Sequence, residues 1–398
     1  MRHTLYAVRP ITHHRVLAVV RPNWLSGDLR VGLPGTPRRK GIQRSGGVTF
    51  NGVRDIVTRA IGNRVFPAAC MEIGRADQVL WAGAFGQLTY DTDAPLASHD
   101  TVFDLASLTK VVATTTLAMR HVDAGHLAIS DRVADHLSDW RGAAREAVTV
   151  ADLLAHTSGL PAYLPLFRDL VDRADFEREV CRLPMAYPPQ TTSIYSDLGF
   201  ILLGFLIEDL SNKGLQEQFA LMAFECKWGE LRFSPPATWK SRIAPTGDSV
   251  WRRRSLVGEV HDDNAWALGG AAGHTGLFGS APAVGRFARL ILRTFGGLTR
   301  LTRPTTLKTF AQRTEVPNSS RALGWDTMKS TSSCGNRLSK SAIGHTGFTG
   351  TSLWIDPALD LYIVCLTNRV HPTATSNAIR QVRPALHNAV IEALYGSA

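Results

Sequence analysis

Phe103-Asp104-Leu105-Ala106-Ser107-Leu108-Thr109-Lys110-Val111-Val112-Ala113 sets a hydroxyl and an amine three residues apart inside an apolar stretch. On a helix, residues three apart share one face. The partial positive charge of a helix N-terminus favours an alkoxide-like serine and a neutral lysine. A neutral Lys110 within hydrogen-bond reach accepts the serine proton or passes it to another group. The spacing alone is a weak signal, because most Ser-x-x-Lys matches are chance pairs on solvated helix faces. Here the chain holds eight lysines against thirty-six arginines, and Lys110 alone has a serine three positions before it. Its apolar flanks bury the pair.

Working outward, Asp55 to Arg64 reads as a short helix. Ala68 to Gly74 and Gln78 to Phe85 read as two β-rich runs joined at Arg75-Ala76-Asp77, a hairpin. After the serine helix, Gly125 supplies a C-terminal cap, Asp131 opens another helical segment, and Thr149-Val150-Ala151-Asp152 resembles a capping box. The spacing predicts helices over Ile201 to Leu210 and Pro282 to Phe295, with Pro- and Arg-rich loops between Phe233 and Arg254. Thr351 to Ile355 and Leu361 to Leu366 form a late hairpin around Asp356-Pro357-Ala358, and Ser376 to Leu394 returns to helical spacing. Strands at both ends with helices between predict an α/β protein of the α+β type: one antiparallel sheet built from both chain ends, flanked by helices, with a mostly helical region inserted. The sheet region spans about 50–105 and 320–398, and the helical region about 106–319.

The chain has 398 residues and a formal charge of +10. Residues 1–45 carry eight Arg and one Lys against one Asp, so +8 of that charge lies in the first segment. Residues 46–398 are therefore almost neutral, which removes a basic nucleic-acid-binding fold from consideration. The arm lacks heptads, zinc-ligand spacing and aromatic interleaving. It reads as a disordered leader, or the product of a start assigned too far upstream, ahead of a lipid or nucleic-acid contact. Its apolar stretch, Val16 to Val20, is short for a secretory signal, so the expectation is cytoplasmic if the start is as given. No apolar run approaches the ~20 residues of a membrane helix. Five scattered cysteines predict free thiols, and no His or Cys spacing predicts a metal site; no cofactor is expected.

Two further elements join the serine. Tyr195-Ser196-Asp197 precedes a helix starting near Leu198, and among seven tyrosines only Tyr195 has Asp or Asn two residues on. Gly344-His345-Thr346-Gly347 leads into the late hairpin, where Gly347 lets the N–H of Phe348 join that of Ser107 as an oxyanion hole. The same tetrapeptide at Gly273-His274-Thr275-Gly276 is expected to be a structural turn before a helix from Leu277 onward. His156, in His156-Thr157-Ser158-Gly159-Leu160-Pro161, reads as a hydrogen-bonded structural histidine ahead of a catalytic one. There is no Gly-x-Ser-x-Gly elbow.

In this order and at these separations, the three elements resemble the penicillin-recognising serine hydrolases: class C β-lactamases, D-alanyl-D-alanine carboxypeptidases and related esterases. Leu154 to Pro161, His261-Asp262-Asp263-Asn264-Ala265 and Leu366-Thr367-Asn368-Arg369 extend the likeness over roughly residues 50–398. The resemblance implies a β-lactamase/transpeptidase-like fold, with periplasmic or extracellular location as the other possibility. It implies that Ser107 is the acylated nucleophile, Lys110 its proton partner and Tyr195 the general base and later acid. Asp197, His345, Thr346, Gly347 and Phe348 would bind substrate. Asp197 stands where the family usually has asparagine, and a carboxylate cannot donate to a substrate carbonyl; it would also hold Lys110 charged. His345 stands where the third-motif lysine usually stands, and is expected to gain charge only as pH falls toward 6. Both departures weigh against efficient β-lactam hydrolysis. The expected function is acyl-enzyme hydrolysis of an ester or amide: a small carboxylic ester first, then a D-amino-acid peptide or peptidoglycan fragment, then a β-lactam. A silent penicillin- or peptidoglycan-binding sensor is the rival.

Overall fold

Residues 48–299 and 301–396 are described by the computed structural model, so the expected leader at 1–45 lies outside the described residues. In chain order the strands are β1 (Ala68–Gly74), β2 (Val79–Gly86), β3 (Val102–Asp104), β4 (Leu231–Phe233), β5 (Asp248–Ser249), β6 (Arg254–Ser255), β7 (Leu277–Ser280), β8 (Asp326–Thr327), β9 (Ile343–Thr346), β10 (Ser352–Asp356) and β11 (Leu361–Thr367). β1 and β11 are buried along their whole length, which is why both read as continuous apolar runs rather than alternating ones. They pair antiparallel, Met71 opposite Cys365 and Ile73 opposite Ile363, and so join the two ends of the fold. The six-stranded sheet runs β2-β1-β11-β10-β9-β8.

Helices cover both faces of this sheet. The helix Asn51–Gly62 and the C-terminal helix Ile379–Tyr395 pack together on one side, burying Val53, Val57, Ile363, Cys365, Leu386 and Val390 in one core. The helix Ala281–Phe295 lies on the other side. Its buried Val284, Phe287, Ala288, Ile291 and Leu292 follow the three-and-four spacing of an amphipathic helix. Beyond it, the helix Asp197–Ser211 is buried from Leu198 to Ile207, as an element apolar on all sides must be.

The inserted region is less purely helical than its spacing predicts. β3, β7 and β4 form a separate three-stranded antiparallel sheet. The second Gly-His-Thr-Gly therefore runs into a strand at Leu277, not a helix. The helix starts only at Ala281, with Pro282 in its first turn, where a missing N–H costs nothing. The segment after Asp131 shrinks to one turn, Val133–His136. The serine helix is not regular either: the chain winds with π-type bonding over Lys110–Thr115 before becoming α-helical over Thr116–Ala124, an irregularity common near functional sites. Gly125, in a left-handed conformation, closes it. All five cysteines are free thiols. Among the described residues no helix is long and apolar enough to cross a membrane.

Candidate active site

Strand β3 delivers the chain to Ser107 through a sharp corner. Ala106 takes a left-handed φ of 48°, a conformation that costs a residue with a Cβ about 1–2 kcal/mol. The corner is held by the Asp104 carboxylate, which accepts from the Ala106 N–H (2.8 Å) and from the His261 N–H (2.7 Å). Burial pushes that carboxyl up to about 6, the two backbone hydrogen bonds resisting.

Lys110 is fully buried and its ammonium has three partners. Nζ lies 3.2 Å from Ser107 Oγ, 2.6 Å from Asp197 Oδ1 and 3.0 Å from the carbonyl oxygen of His274. Three acceptors match the three N–H bonds of a charged lysine. Burial opposes that charge, but Asp197 and Tyr195 outweigh it and raise the lysine pKa above its ordinary value. The helix N-terminus does not win here: a carboxylate at 2.6 Å keeps the ammonium protonated, in line with the Asp197 departure from the family pattern.

Tyr195 lies beside this pair, its ring 4.9 Å from Lys110 Nζ. Burial pushes the phenol above its ordinary value, against the pull of Lys110 and of hydrogen bonds to Lys110 and Ser107. His156 holds the tyrosine from behind. Its carbonyl accepts from Ile194 N–H (3.0 Å) and its Nδ1 accepts from Ser196 N–H (3.0 Å), so it grips the residues on either side of Tyr195. Its ring lies 4.6 Å from the tyrosine ring. With Nδ1 an acceptor, the proton is on Nε2, and burial together with Arg321 and Lys110 holds the imidazole well below its ordinary pKa. Its position agrees with the structural reading of this histidine.

His345, on β9, is only 2% exposed. Nδ1 lies 2.9 Å from the carbonyl oxygen of Thr346; donation there leaves Nε2 as an acceptor. Burial, then Arg321 and Lys110, hold this ring too well below its ordinary pKa. The charge expected to build up on His345 near pH 6 therefore does not form: the ring is neutral across that range.

After β9, residues 347–351 fold back against the corner that carries Ser107. Thr349 Oγ1 donates to the carbonyl of Asp104 (2.7 Å) and Thr351 Oγ1 to that of Leu105 (2.9 Å). A Cβ on Gly347 would meet Thr351 Oγ1 and lie 2.6 Å from the Leu105 carbonyl oxygen; glycine is needed for space. Neither the Ser107 nor the Phe348 N–H has an acceptor among the described residues.

Ser107, Tyr195, Asp197, His345, Thr346, Gly347 and Phe348 line one cavity of about 660 Å³, with Lys110 behind its wall. Residues that no motif marked line it too: Tyr163, Arg321 and Arg380. Arg321 stacks 5.0 Å over the Tyr195 ring, and no carboxylate pairs with it or with Arg380 among the described residues. The second tetrapeptide is also more than a turn. It presents the His274 carbonyl to Lys110, while His274 Nε2 lies 2.9 Å from Asp262 Oδ1. Burial works to raise the Asp262 carboxyl, yet His274 holds it down at about 2. No group of three or more His, Cys, Asp or Glu among the described residues is arranged to hold a metal.

Residues 53–386 match the family model described as Beta-lactamase. The chain is 29% identical to an N-acetylmuramyl-L-alanine amidase of Bacillus subtilis, over 83% of this chain and 85% of the relative. It is 27% identical to a Salmonella agona protein provisionally named a D-alanyl-D-alanine carboxypeptidase, over 76% of this chain and 79% of that one. Among solved structures, a class C β-lactamase from Rhodobacter sphaeroides superimposes with a TM-score of 0.69 at 19% identity, over 86% of this chain and 99% of that chain.

Proposed function

The chain belongs to the Beta-lactamase family, and from that premise we propose that it hydrolyses an ester or amide through an acyl intermediate on Ser107. The observation that carries this is the contact of Ser107 Oγ with Lys110 Nζ at 3.2 Å, in a lysine otherwise anchored by Asp197 and the His274 carbonyl. A lysine so held is a fixed positive charge and not a base. Tyr195, protonated at rest, then acts as a shuttle. As Ser107 Oγ bonds to the acyl carbon, its proton passes to Tyr195 Oη, and the tyrosine's own proton passes to the departing oxygen or nitrogen. The bond to the leaving group breaks with that protonation. Water repeats the exchange in reverse: its proton goes to Tyr195, and the tyrosine's returns to Ser107 Oγ as the acyl bond opens. Lys110 stabilises the negative charge that passes between the two oxygens.

Intact-mass measurement after exposure to p-nitrophenyl esters, D-Ala-D-Ala peptides and penicillins tests this. An acyl adduct that maps to Ser107 and turns over supports it; an adduct elsewhere overturns it. An adduct that never clears supports the sensor reading instead.

A second, finer reading concerns the acyl donor. A neutral His345 is a weak anchor for a carboxylate, which favours uncharged esters. Arg321 and Arg380, lining the same cavity without carboxylate partners among the described residues, supply the permanent charge that His345 lacks. Peptides with a free C-terminal carboxylate, the class in one relative's name, therefore rank with simple esters. Arg321→Gln is expected to raise KM for a D-Ala-D-Ala peptide by about 10-fold or more, the value of a charged hydrogen bond, and to leave its C-terminal amide unaffected. Equal effects on both would remove Arg321 from carboxylate recognition.

A further inference from the structure

Arg383 lies in the C-terminal helix and is 8% exposed. It has no carboxylate partner among the described residues. Instead Nη2 donates to two backbone carbonyls, that of Gly347 at 2.8 Å and that of Thr351 at 2.8 Å. These are the two ends of the turn that follows β9. The turn's own bonds use the same carbonyls: Gly350 N–H donates to Gly347 (3.1 Å) and Gly347 N–H to Thr351 (2.7 Å). The cation thus adds a second donor at each end of a turn already closed.

The consequence follows from the planarity of the peptide group. The carbonyl of Gly347 and the N–H of Phe348 belong to one trans peptide and point in opposite directions. Whatever fixes the carbonyl fixes the N–H. Arg383 holds the Gly347 oxygen, so the Phe348 N–H of the same peptide is directed away from the guanidinium; Ser107, Phe348 and Arg383 all line the one cavity. The next peptide is treated alike, because Arg369 Nε donates to the Phe348 carbonyl at 2.8 Å. Burying an arginine without an anionic partner is costly, and burial accordingly lowers its pKa to about 10. A neutral donor would close the turn at less cost. A cation on the carbonyl also polarises the whole peptide and makes its N–H a stronger donor.

We infer that Arg383 is a positioning residue for the oxyanion hole: by holding the Gly347 carbonyl it orients and strengthens the Phe348 N–H that receives the developing negative charge. The inference rests on the acyl-serine reading given above. Arg383 also borders the cavity, so what separates a role through the backbone from direct substrate binding is selective loss of transition-state stabilisation with KM unchanged.

The test compares an ester with its thionoester, whose sulfur is a poor hydrogen-bond acceptor. Wild type, Arg383→Lys and Arg383→Met are measured for kcat and KM on both, with circular dichroism and Tm as checks of folding. Misplacing one donor is expected to lower kcat for the ester by ~10–100-fold, below or at the cost of deleting one, with KM within about twofold. The thionoester rate should fall less, so the ester-to-thionoester ratio drops. An ammonium reaches fewer acceptors than a guanidinium fork, so Arg383→Lys should fall between wild type and Arg383→Met. A ratio unchanged in the folded variants overturns the inference while leaving the acyl-serine reading intact. If neither variant folds, Arg383 is structural and the positioning role is rejected. If wild type neither labels at Ser107 nor turns over esters, the functional reading fails and the inference with it.

Discussion

At the scale of single residues, the site divides into groups whose chemistry was visible in the sequence and groups whose chemistry depends on what the fold brings beside them. Ser107, Lys110, Tyr195 and Asp197 belong to the first kind, because each is placed by local spacing at the start of a helix. Lys110→Ala, which removes the fixed charge, and Tyr195→Phe, which removes the proton shuttle, are each expected to reduce turnover by about 100-fold or more; an undiminished steady-state rate in either makes that residue structural. Ser107→Ala should abolish labelling by a fluorophosphonate. His345 belongs to the second kind. Its position was legible, but its charge was not, since the ordinary histidine pKa says nothing of a ring at 2% exposure near Arg321 and Lys110. The ratio of ester to penicillin turnover should therefore stay level from pH 8 to pH 6, and a marked change in that ratio would mean that His345 titrates after all. Arg321 could not be found at all: it sits in no motif, and only the fold sets it over Tyr195.

At the scale of elements, the two copies of Gly-His-Thr-Gly show how context outranks letters. The copy at 344–347 ends β9, which pairs with β10 so that His345 faces Leu353 across the ladder, and the late hairpin announced it. The copy at 273–276 feeds β7, a four-residue strand between two three-residue ones. Strands this short carry too little alternation to be read, and helical spacing from Pro282 onward masked the strand before it. The turn after β9 is where a small change should matter most. Gly347→Ala places a methyl group against Thr351 Oγ1 and the Leu105 carbonyl, so the turn must move off the corner that carries Ser107. The expected outcome is a loss of kcat together with a lower Tm, because the displaced contact is buried against Leu105 and Thr351, and the folded variant should lose activity below its melting range. A variant that unfolds, or one that keeps full activity, would show that the turn is not what registers the two N–H groups. His156 makes the complementary link between the segment after Val150–Leu154 and the tyrosine loop. His156→Ala should lower kcat without moving the pH profile, since the imidazole is neutral throughout.

At the scale of the whole molecule, buried titratable groups tie stability to pH. Residues 1–45 carry +8 of the formal charge, and a chain lacking them is expected to melt within a degree or two of the full one. Among the described residues four histidines are buried, His156, His274, His345 and His387; burial holds three of them, His156, His345 and His387, below the ordinary value, the last at about 4. A base whose folded pKa is lowered stabilises the fold above its unfolded pKa, near 6.5, and loses that contribution as pH falls below it. Asp104 works the other way. Its folded pKa is raised to about 6, so it favours the fold below about pH 4 and loses that contribution as pH rises through 6. Asp262, held at about 2, matters only in stronger acid. Each histidine that is charged in the unfolded chain and neutral in the fold costs ~1.4 kcal/mol per pH unit, and Asp104 returns a similar amount. The histidines outnumber the carboxyl, so stability should be level from pH 8 to about 6.5 and fall as pH drops from 6 to 5. Urea denaturation across that range measures the slope. His387→Gln, remote from the chemistry, should make it shallower by about 1.4 kcal/mol per unit. A flat profile through pH 5, or a His387→Gln slope equal to wild type, would mean that these rings take up protons in the folded protein.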